Sequence, residues 1–420
     1  MGSTLDPSLA PSAIGHGESG HLTRLDRWLA QRLQSMIRAA RVRVELWDGW
    51  SPYREGSRIG DLVVTDRRTL VGLLLDPHMQ FGESYMHGRL WIRGSLEAVI
   101  EALSQLPVAA VSWRDAIGRL FARSNTPVNA RLNVHQHYDL GNDFYRLWLD
   151  PEMLYTCAYF PTPSATLDAA QIAKMDLVCR KLRLKPGDRV VEAGCGWGSL
   201  ALHMARHYGV EVRAFNVSKE QLAWARERAK REGLHDRVEF IDDDYRSVSG
   251  KCDAFVSVGM LEHVGRAQFD AISEVIERVL HPDSGRGLLH FIGRDVPRPL
   301  NAWIRRRIFP GAYPPTLAEV TDDILSPAGM SVIDVENLRL HYARTLACWA
   351  ARFAAARNTV RSMYSEPFAR AWELYLAGSE AAFVTGGMQL FQVVFAPRES
   401  APISWTRRDP FPVKVSVDHM

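Results

Sequence analysis

The sequence predicts an α/β protein: a doubly wound, Rossmann-like parallel sheet of seven strands with helical insertions, preceded by a small α+β domain. Three observations predict it. Short apolar runs alternate with helical patterns from about residue 185 to residue 396. The first run ends in a glycine turn, Val190-Val-Glu-Ala-Gly-Cys-Gly-Trp-Gly198, that leads straight into a helical pattern from Ser199 to Arg206. Polar residues stand where later runs end, at Asn216, Tyr245 and Glu262. Alternating strands and helices wind a parallel sheet, and such a sheet binds ligands at the carboxyl ends of its strands.

A chain of 420 residues has length for two or more domains. We divide it into a disordered start (1–20), an N-terminal α+β domain with its linker (21–124), a catalytic domain (125–400) and a loose tail (401–420). The net charge of +3 is too mild to imply nucleic acid, and no nucleic-acid partner is expected. The five cysteines, 157, 179, 195, 252 and 348, are odd in number and form no C-x-x-C pair. That argues against a disulfide framework or a metal site and for a reducing cytoplasm. No stretch is apolar for long enough to span a bilayer, and Met1 to Gly20 lacks a hydrophobic signal core.

From Leu22 to Val44 an amphipathic helix pattern runs through Leu22, Leu25, Trp28, Leu29, Leu33, Met36 and Ile37. Arg24, Arg27, Arg32, Arg38, Arg41 and Arg43 surround this stripe. It is either a surface helix packed on its own domain or a helix that meets anionic lipid. Strand-like runs follow at Val42 to Trp47 and Gly60 to Thr65, then a helix near Thr69 to Leu75. Gly82-Glu-Ser-Tyr-Met86 reads as a turn leading to Trp91, and a helical linker lies near Ser112 to Arg123. From His135 to Tyr145, and again from Tyr155 to Phe160, polar and aromatic residues crowd together. A helix from about Leu167 to Leu182 and a Lys185-Pro-Gly-Asp188 turn then open the first sheet strand. The two crowded segments are either core or a lid folded over the carboxyl edge.

The glycine turn decides the ligand. A dinucleotide fingerprint is G-x-G-x-x-G with an acidic residue about 20 positions on. Here the spacing is G-x-G-x-G, Trp197 stands between two glycines, and the second strand, 211–216, ends in Asn216. The pattern fits S-adenosylmethionine (SAM) better than NAD. Gly194, Gly196 and Gly198 let the backbone approach the ligand's amino-acid tail. Glu192 is placed to receive its ammonium. Ser218 with Gln221 three residues later reads as a capping box.

The remaining strands fall at Val238 to Ile241, Ala254 to Val258, Gly287 to Ile292, Ser331 to Leu338 and Gln389 to Ala396, with a helical insertion from Tyr342 to Ala382. Trp303, Ile304, Ile308 and Phe309 beside three arginines suit either a lipid headgroup boundary or a buried loop with solvated charges.

HYDLGNDF, YTCAYF, VEAGCGWG, VSVGMLEHVG, LLHFIG and QLFQVVF, in this order, resemble the cyclopropane-fatty-acyl-phospholipid synthase family, strongly over 135–396 and through GESYM into the N-terminal domain. The resemblance implies a SAM-dependent methyltransferase that builds a cyclopropane across the cis double bond of a membrane phospholipid acyl chain. It implies a SAM pocket from Tyr155 and Thr156, the segment from Val190 through Glu192, Gly194, Cys195, Gly196, Trp197 and Gly198, then Asn216, Ser218 and Gln221, with Tyr245 and Arg246 near the adenine. It further implies a bound bicarbonate as base, cradled by Cys157, Glu262, His290, Tyr342 and the backbone near Ile292. Glu262 would take bicarbonate's proton, and His290 and Tyr342 would donate to its oxygens. The expected setting is cytoplasmic and peripheral to the membrane; a homodimer is left open. One departure is Ser379, where many members carry a cysteine; a serine without an adjacent base is a poor nucleophile. The rival readings are methyl branching of the same acyl chains, N-methylation of an amine, and a lipid-binding protein that keeps SAM without catalysis.

Overall fold

The structure, a computed structural model, describes residues 21–53, 56–106 and 140–399. The expected disordered start, the linker helix, the first half of the His135 cluster and the tail from 401 lie outside those residues. The described chain forms two compact units. One takes the N-terminal residues together with 299–310 and 346–387; the other takes the rest.

The first unit carries a three-stranded sheet: β1 (Val42–Leu46) parallel to β2 (Gly60–Val64), and β2 antiparallel to β3 (Leu90–Arg93). Its first helix, Arg24–Met36, opens with a reciprocal cap between Thr23 and Asp26. The buried Asp26 carboxylate also accepts two hydrogen bonds from Arg67, at 2.6 and 2.7 Å. The single stripe read from the sequence splits in two. Ala30, Leu33 and Ile37 face the core, whereas Leu25, Trp28 and Met36 are 59%, 60% and 42% exposed. At 100° per residue these three fall on one side of the helix with Leu29 and Arg32.

GESYM is not a turn but the end of a helix, Pro77–Met86. Its glycine has a packing reason: a Cβ at Gly82 would meet the Trp303 ring at 2.4 Å. Trp303 and Ile308 are buried, Phe309 packs edge-on against Tyr375, and Arg307 pairs with Glu83 at 2.7 Å. The segment is therefore a short helix, Ala302–Arg307, whose Trp303 is core and whose Arg307 is paired, so the indole is not offered to lipid. The C-terminal helical insertion is two helices, Arg339–Met363 and Glu366–Val384, the second capped by Ser365 with Pro367 in its first turn.

The second unit holds the seven-stranded sheet. Its strands are β4 (Arg189–Ala193), β5 (Glu211–Asn216), β6 (Val238–Asp242), β7 (Ala254–Val258), β8 (Arg286–Gly293), β9 (Met330–Asn337) and β10 (Gln389–Pro397). The order is β6-β5-β4-β7-β8-β10-β9, parallel except for β10, which runs antiparallel to both neighbours. The central strands are buried almost throughout, as strands covered on both faces must be. Val190, Val256, Leu288 and Val394 build the core on one face; Val191, Phe255, Leu289 and Val393 build it on the other. The strand order reverses at β4, so the crevice for a ligand opens beyond the end of β4.

Candidate active site

The turn after β4 is tied to β5 by its backbone: Gly194 and Cys195 N–H both donate to the Phe215 carbonyl. Asn216 at the end of β5 completes the knot. Its amide donates to Gly196 O at 3.1 Å and to Gln221 Oε1 at 2.8 Å, and its oxygen accepts from Val217 and Ser218 N–H. Ser218 does cap the next helix, accepting from Gln221 N–H. The Gln221 side chain turns to Asn216 instead, so the reciprocal half of the expected capping box is replaced by a brace on the glycine turn.

The three glycines all have positive φ but serve different ends. A Cβ at Gly194 would meet Met260 at 2.8 Å, and one at Gly198 would meet Phe240 at 2.6 Å and Ala225 at 2.8 Å. At Gly196 a Cβ would meet nothing within 4 Å. Two glycines permit close packing; only Gly196 faces open space.

The described part of the first crowded segment packs against this turn, and the second packs on the first. The Trp197 indole N–H donates to Asn142 Oδ1 at 2.7 Å, and its ring lies 5.0 Å from Tyr145. Tyr145 also meets Tyr155 at 5.6 Å, and Trp148 meets Tyr155 at 5.2 Å. The loop after Tyr155 is pinned by the start of the helix Arg339–Met363: Ala158 N–H donates to Thr345 Oγ1 and Phe160 N–H to His341 Nδ1.

Glu192 is buried, and its Oε2 has no hydrogen-bond partner among the described residues. Burial pushes its carboxyl up to about 8, against the pull of Lys174. Lys174 is itself fully buried on the helix Leu167–Leu182, where it donates to Thr156 Oγ1 at 2.9 Å. Burial lowers the ammonium to about 8, while Asp150, Cys157 and Glu192 oppose that fall. The neighbouring Gln171 donates to the Thr156 carbonyl at 2.9 Å. The sequence reading missed both. The signal was a lysine and a glutamine on a helix side that also carries Ala170, Met175 and Val178, which are core residues.

On the other side of the switch point, Glu262 Oε1 accepts from Ile292 N–H at the end of β8, and Glu262 Oε2 is buried without a partner. Burial raises this carboxyl to about 7. His290 precedes Ile292 by two residues, and its carbonyl accepts from Gly259 N–H at 2.8 Å. Burial, with Lys174 and Lys181, holds the imidazole well below its ordinary pKa, so it is neutral. Its Nε2 has no partner among the described residues. Cys157 Sγ lies near two carbonyls, 3.2 Å from Ala158 O and 3.9 Å from Leu338 O. Burial pushes its thiol up, which makes it no nucleophile. The Leu338 carbonyl also accepts from Tyr342 N–H, and Leu338 N–H donates to Leu390 O, opposite Ile292. Backbone pairing through Ile292, Leu390 and Leu338 thus connects the Glu262 carboxylate with the Cys157 thiol and the Tyr342 N–H. Tyr245 is buried with its hydroxyl unpartnered, whereas Arg246 is held by Asp244 at 2.7 and 2.9 Å and by Gln268. Among the described residues no group of acidic, histidine or cysteine side chains is placed to hold a metal. None of the five cysteines forms a disulfide among the described residues.

A model of the mycolic acid cyclopropane synthetase family matches residues 126–393, and a domain of unknown function matches 29–110. A probable fatty acid methyltransferase of Pseudomonas putida is 37% identical over 380 residues, spanning 88% of this chain and 95% of its own length. The cyclopropane-fatty-acyl-phospholipid synthase of Escherichia coli K12 is 36% identical over 349 residues, spanning 81% and 89%. Among solved structures, a mycolic acid cyclopropane synthase complexed with SAH and CTAB superposes with a TM-score of 0.60 at 33% identity, over 63% of this chain and 97% of its own.

Proposed function

The chain belongs to the mycolic acid cyclopropane synthetase family and is a SAM-dependent methyltransferase, and on that premise we propose that it forms a cyclopropane across the cis double bond of a phospholipid acyl chain, with bicarbonate as the base. One observation carries the reading. Glu192 Oε2, Ser257 Oγ, Glu262 Oε2, His290 Nε2 and the Tyr245 hydroxyl are all buried and unpartnered, on or just beyond four strands of one sheet. Buried polar groups are ordinarily satisfied, so such a concentration fits a polar ligand.

When bound, SAM supplies an electrophilic methyl group. Glu192 receives its ammonium, and the open side of Gly196 gives its tail room. Thr156, held by Lys174 and Gln171, fixes the loop that carries Tyr155. An alkene is a weak nucleophile, so the chain's task is to hold the reactants in line and exclude water. When bound, bicarbonate supplies a base too weakly nucleophilic to trap a cation. Glu262, with a carboxyl poised near neutrality, is matched to take up the proton that must finally leave. Cys157 needs no covalent role here, and Ser379 lies in a helix of the other unit. The exposed side of the first helix, with Leu25, Trp28, Met36 and Arg32, suits attachment to an anionic lipid surface. No helix among the described residues is long and apolar enough to cross a membrane.

The test is fatty-acid mass spectrometry of a host that lacks such an enzyme, with and without this gene. The expected product gains one methylene and loses its olefin. A methyl-branched chain in its place would overturn ring formation.

A further inference from the structure

Which nitrogen of His290 carries the proton is settled by residues outside the proposed cradle. His290 on β8 stands opposite Gln392 on the antiparallel β10. Paired residues point to the same face of a sheet, so their side chains are neighbours. One end of the Gln392 amide lies 3.0 Å from His290 Nδ1, and the other lies 2.6 Å from Lys181 Nζ. Lys181 is anchored in turn by Glu336 at 2.5 Å. Gln392 and Lys181 are 0% and 1% exposed, so no bulk water stands in for either partner.

An ammonium has donors only. The amide atom it meets must therefore be the carbonyl oxygen, and the atom turned to the imidazole must be the NH2. That NH2 needs an acceptor, which only a bare Nδ1 provides. A neutral imidazole carries one proton, so the proton sits on Nε2. An imidazolium would set Nδ1–H against N–H, with no acceptor between them.

We infer that Lys181 and Gln392 are positioning residues that fix His290 as the neutral Nε2–H tautomer, making it a hydrogen-bond donor to an anionic oxygen and not a base. The chain of reasons runs from Glu336 through Lys181 and Gln392 to the ring, and each link is direct. The Nε2–H then points at no protein acceptor among the described residues. A buried donor of this kind calls for an oxygen, and the class that fits is a small oxyanion. This last step rests on the bicarbonate reading above. With His290 committed as a donor, the proton must go elsewhere, which leaves Glu262 as the side chain that takes it.

The test uses the full-length protein with 15N-labelled histidine. Long-range proton–nitrogen spectra separate a protonated from a bare ring nitrogen, and His290 is assigned by the signals lost in His290→Gln. At neutral pH the wild type should show a protonated Nε2 and a bare Nδ1. In Gln392→Glu the carboxylate keeps Lys181 as partner and accepts from the ring, so Nδ1 should become protonated. A wild-type spectrum with Nδ1 protonated overturns the inference, and this measurement depends on no variant's folding. A bare Nδ1 in Gln392→Glu, with SAM affinity intact, overturns it as well. Titrating sodium bicarbonate into the wild type should move the Nε2–H proton downfield. The stated tautomer with no response to bicarbonate would sink the cradle reading and leave the role of Lys181 and Gln392 standing.

Discussion

At the scale of single residues, the two buried carboxyls make opposite demands. Glu192 sits at about 8 without a ligand, so at pH 7 most of it is protonated. An incoming ammonium favours the charged form. SAM binding should therefore release protons near neutral pH, and affinity should rise with pH there. Calorimetry in two buffers of different ionisation heat measures the proton count; a count of zero removes Glu192 from the pocket. Glu262→Gln keeps the shape but accepts no proton. Turnover should fall by about 10²- to 10⁴-fold, with kcat and kcat/KM falling together and SAM affinity nearly unchanged. Thorough removal of bicarbonate should slow the wild type and affect the variant less. The glycines offer a separation that the bare motif did not. Gly196→Val should lose SAM at the cost of backbone strain alone, because φ is +53° there but a Cβ would meet no neighbour within 4 Å. Gly198→Val should lose more stability, since the same kind of strain is joined by a clash with Phe240 and Ala225. Melting curves beside SAM titrations distinguish the two outcomes.

At the scale of elements, GESYM shows how a motif is misread without its neighbours. A glycine ahead of Glu-Ser-Tyr resembles turn chemistry, yet here it is a helical position pressed by an indole. Gly82→Val should cost about 1–3 kcal/mol or more by overpacking against Trp303, seen as a lower Tm. The helix Leu167–Leu182 is the more instructive element. It sends Gln171 and Lys174 to the Thr156 loop and Lys181 to Gln392, so one helix braces two parts of the candidate site. Its sequence shows polar residues at spacings of three and seven among core positions. That pattern looks like an interrupted amphipathic helix until the partners are known.

At the scale of the whole molecule, the sheet itself followed from the sequence because its signals are local. All seven strands were read within about two residues; the central ones are continuous apolar runs bounded by turns, as buried parallel strands are. The first helix raises the question of a surface. Its exposed apolar side and its arginines suit vesicles rich in anionic lipid. Binding should weaken as salt shortens the Debye length to about 8 Å at 0.15 M. Trp28→Ala should reduce it without lowering Tm, because that ring is 60% exposed. Sedimentation with neutral and anionic vesicles checks both; equal binding to the two at all salt concentrations would remove the electrostatic part.

The sequence by itself determined the strand order of events along the chain, the glycine turn, the choice of SAM and the family, because each is written in neighbouring residues. It also named Glu192, Glu262 and His290. Only the tertiary structure decided which glycine faces open space, that Asn216 braces the turn, that Trp303 is core in a short helix, and that the first helix has two apolar sides. It alone joined Lys181 to Gln392 and Gln392 to His290, residues 211 and 102 positions apart. The physical reason is that a proton's place on an imidazole depends on what stands opposite it. The antiparallel pairing of β8 with β10 sets that partner, and no local pattern announces it.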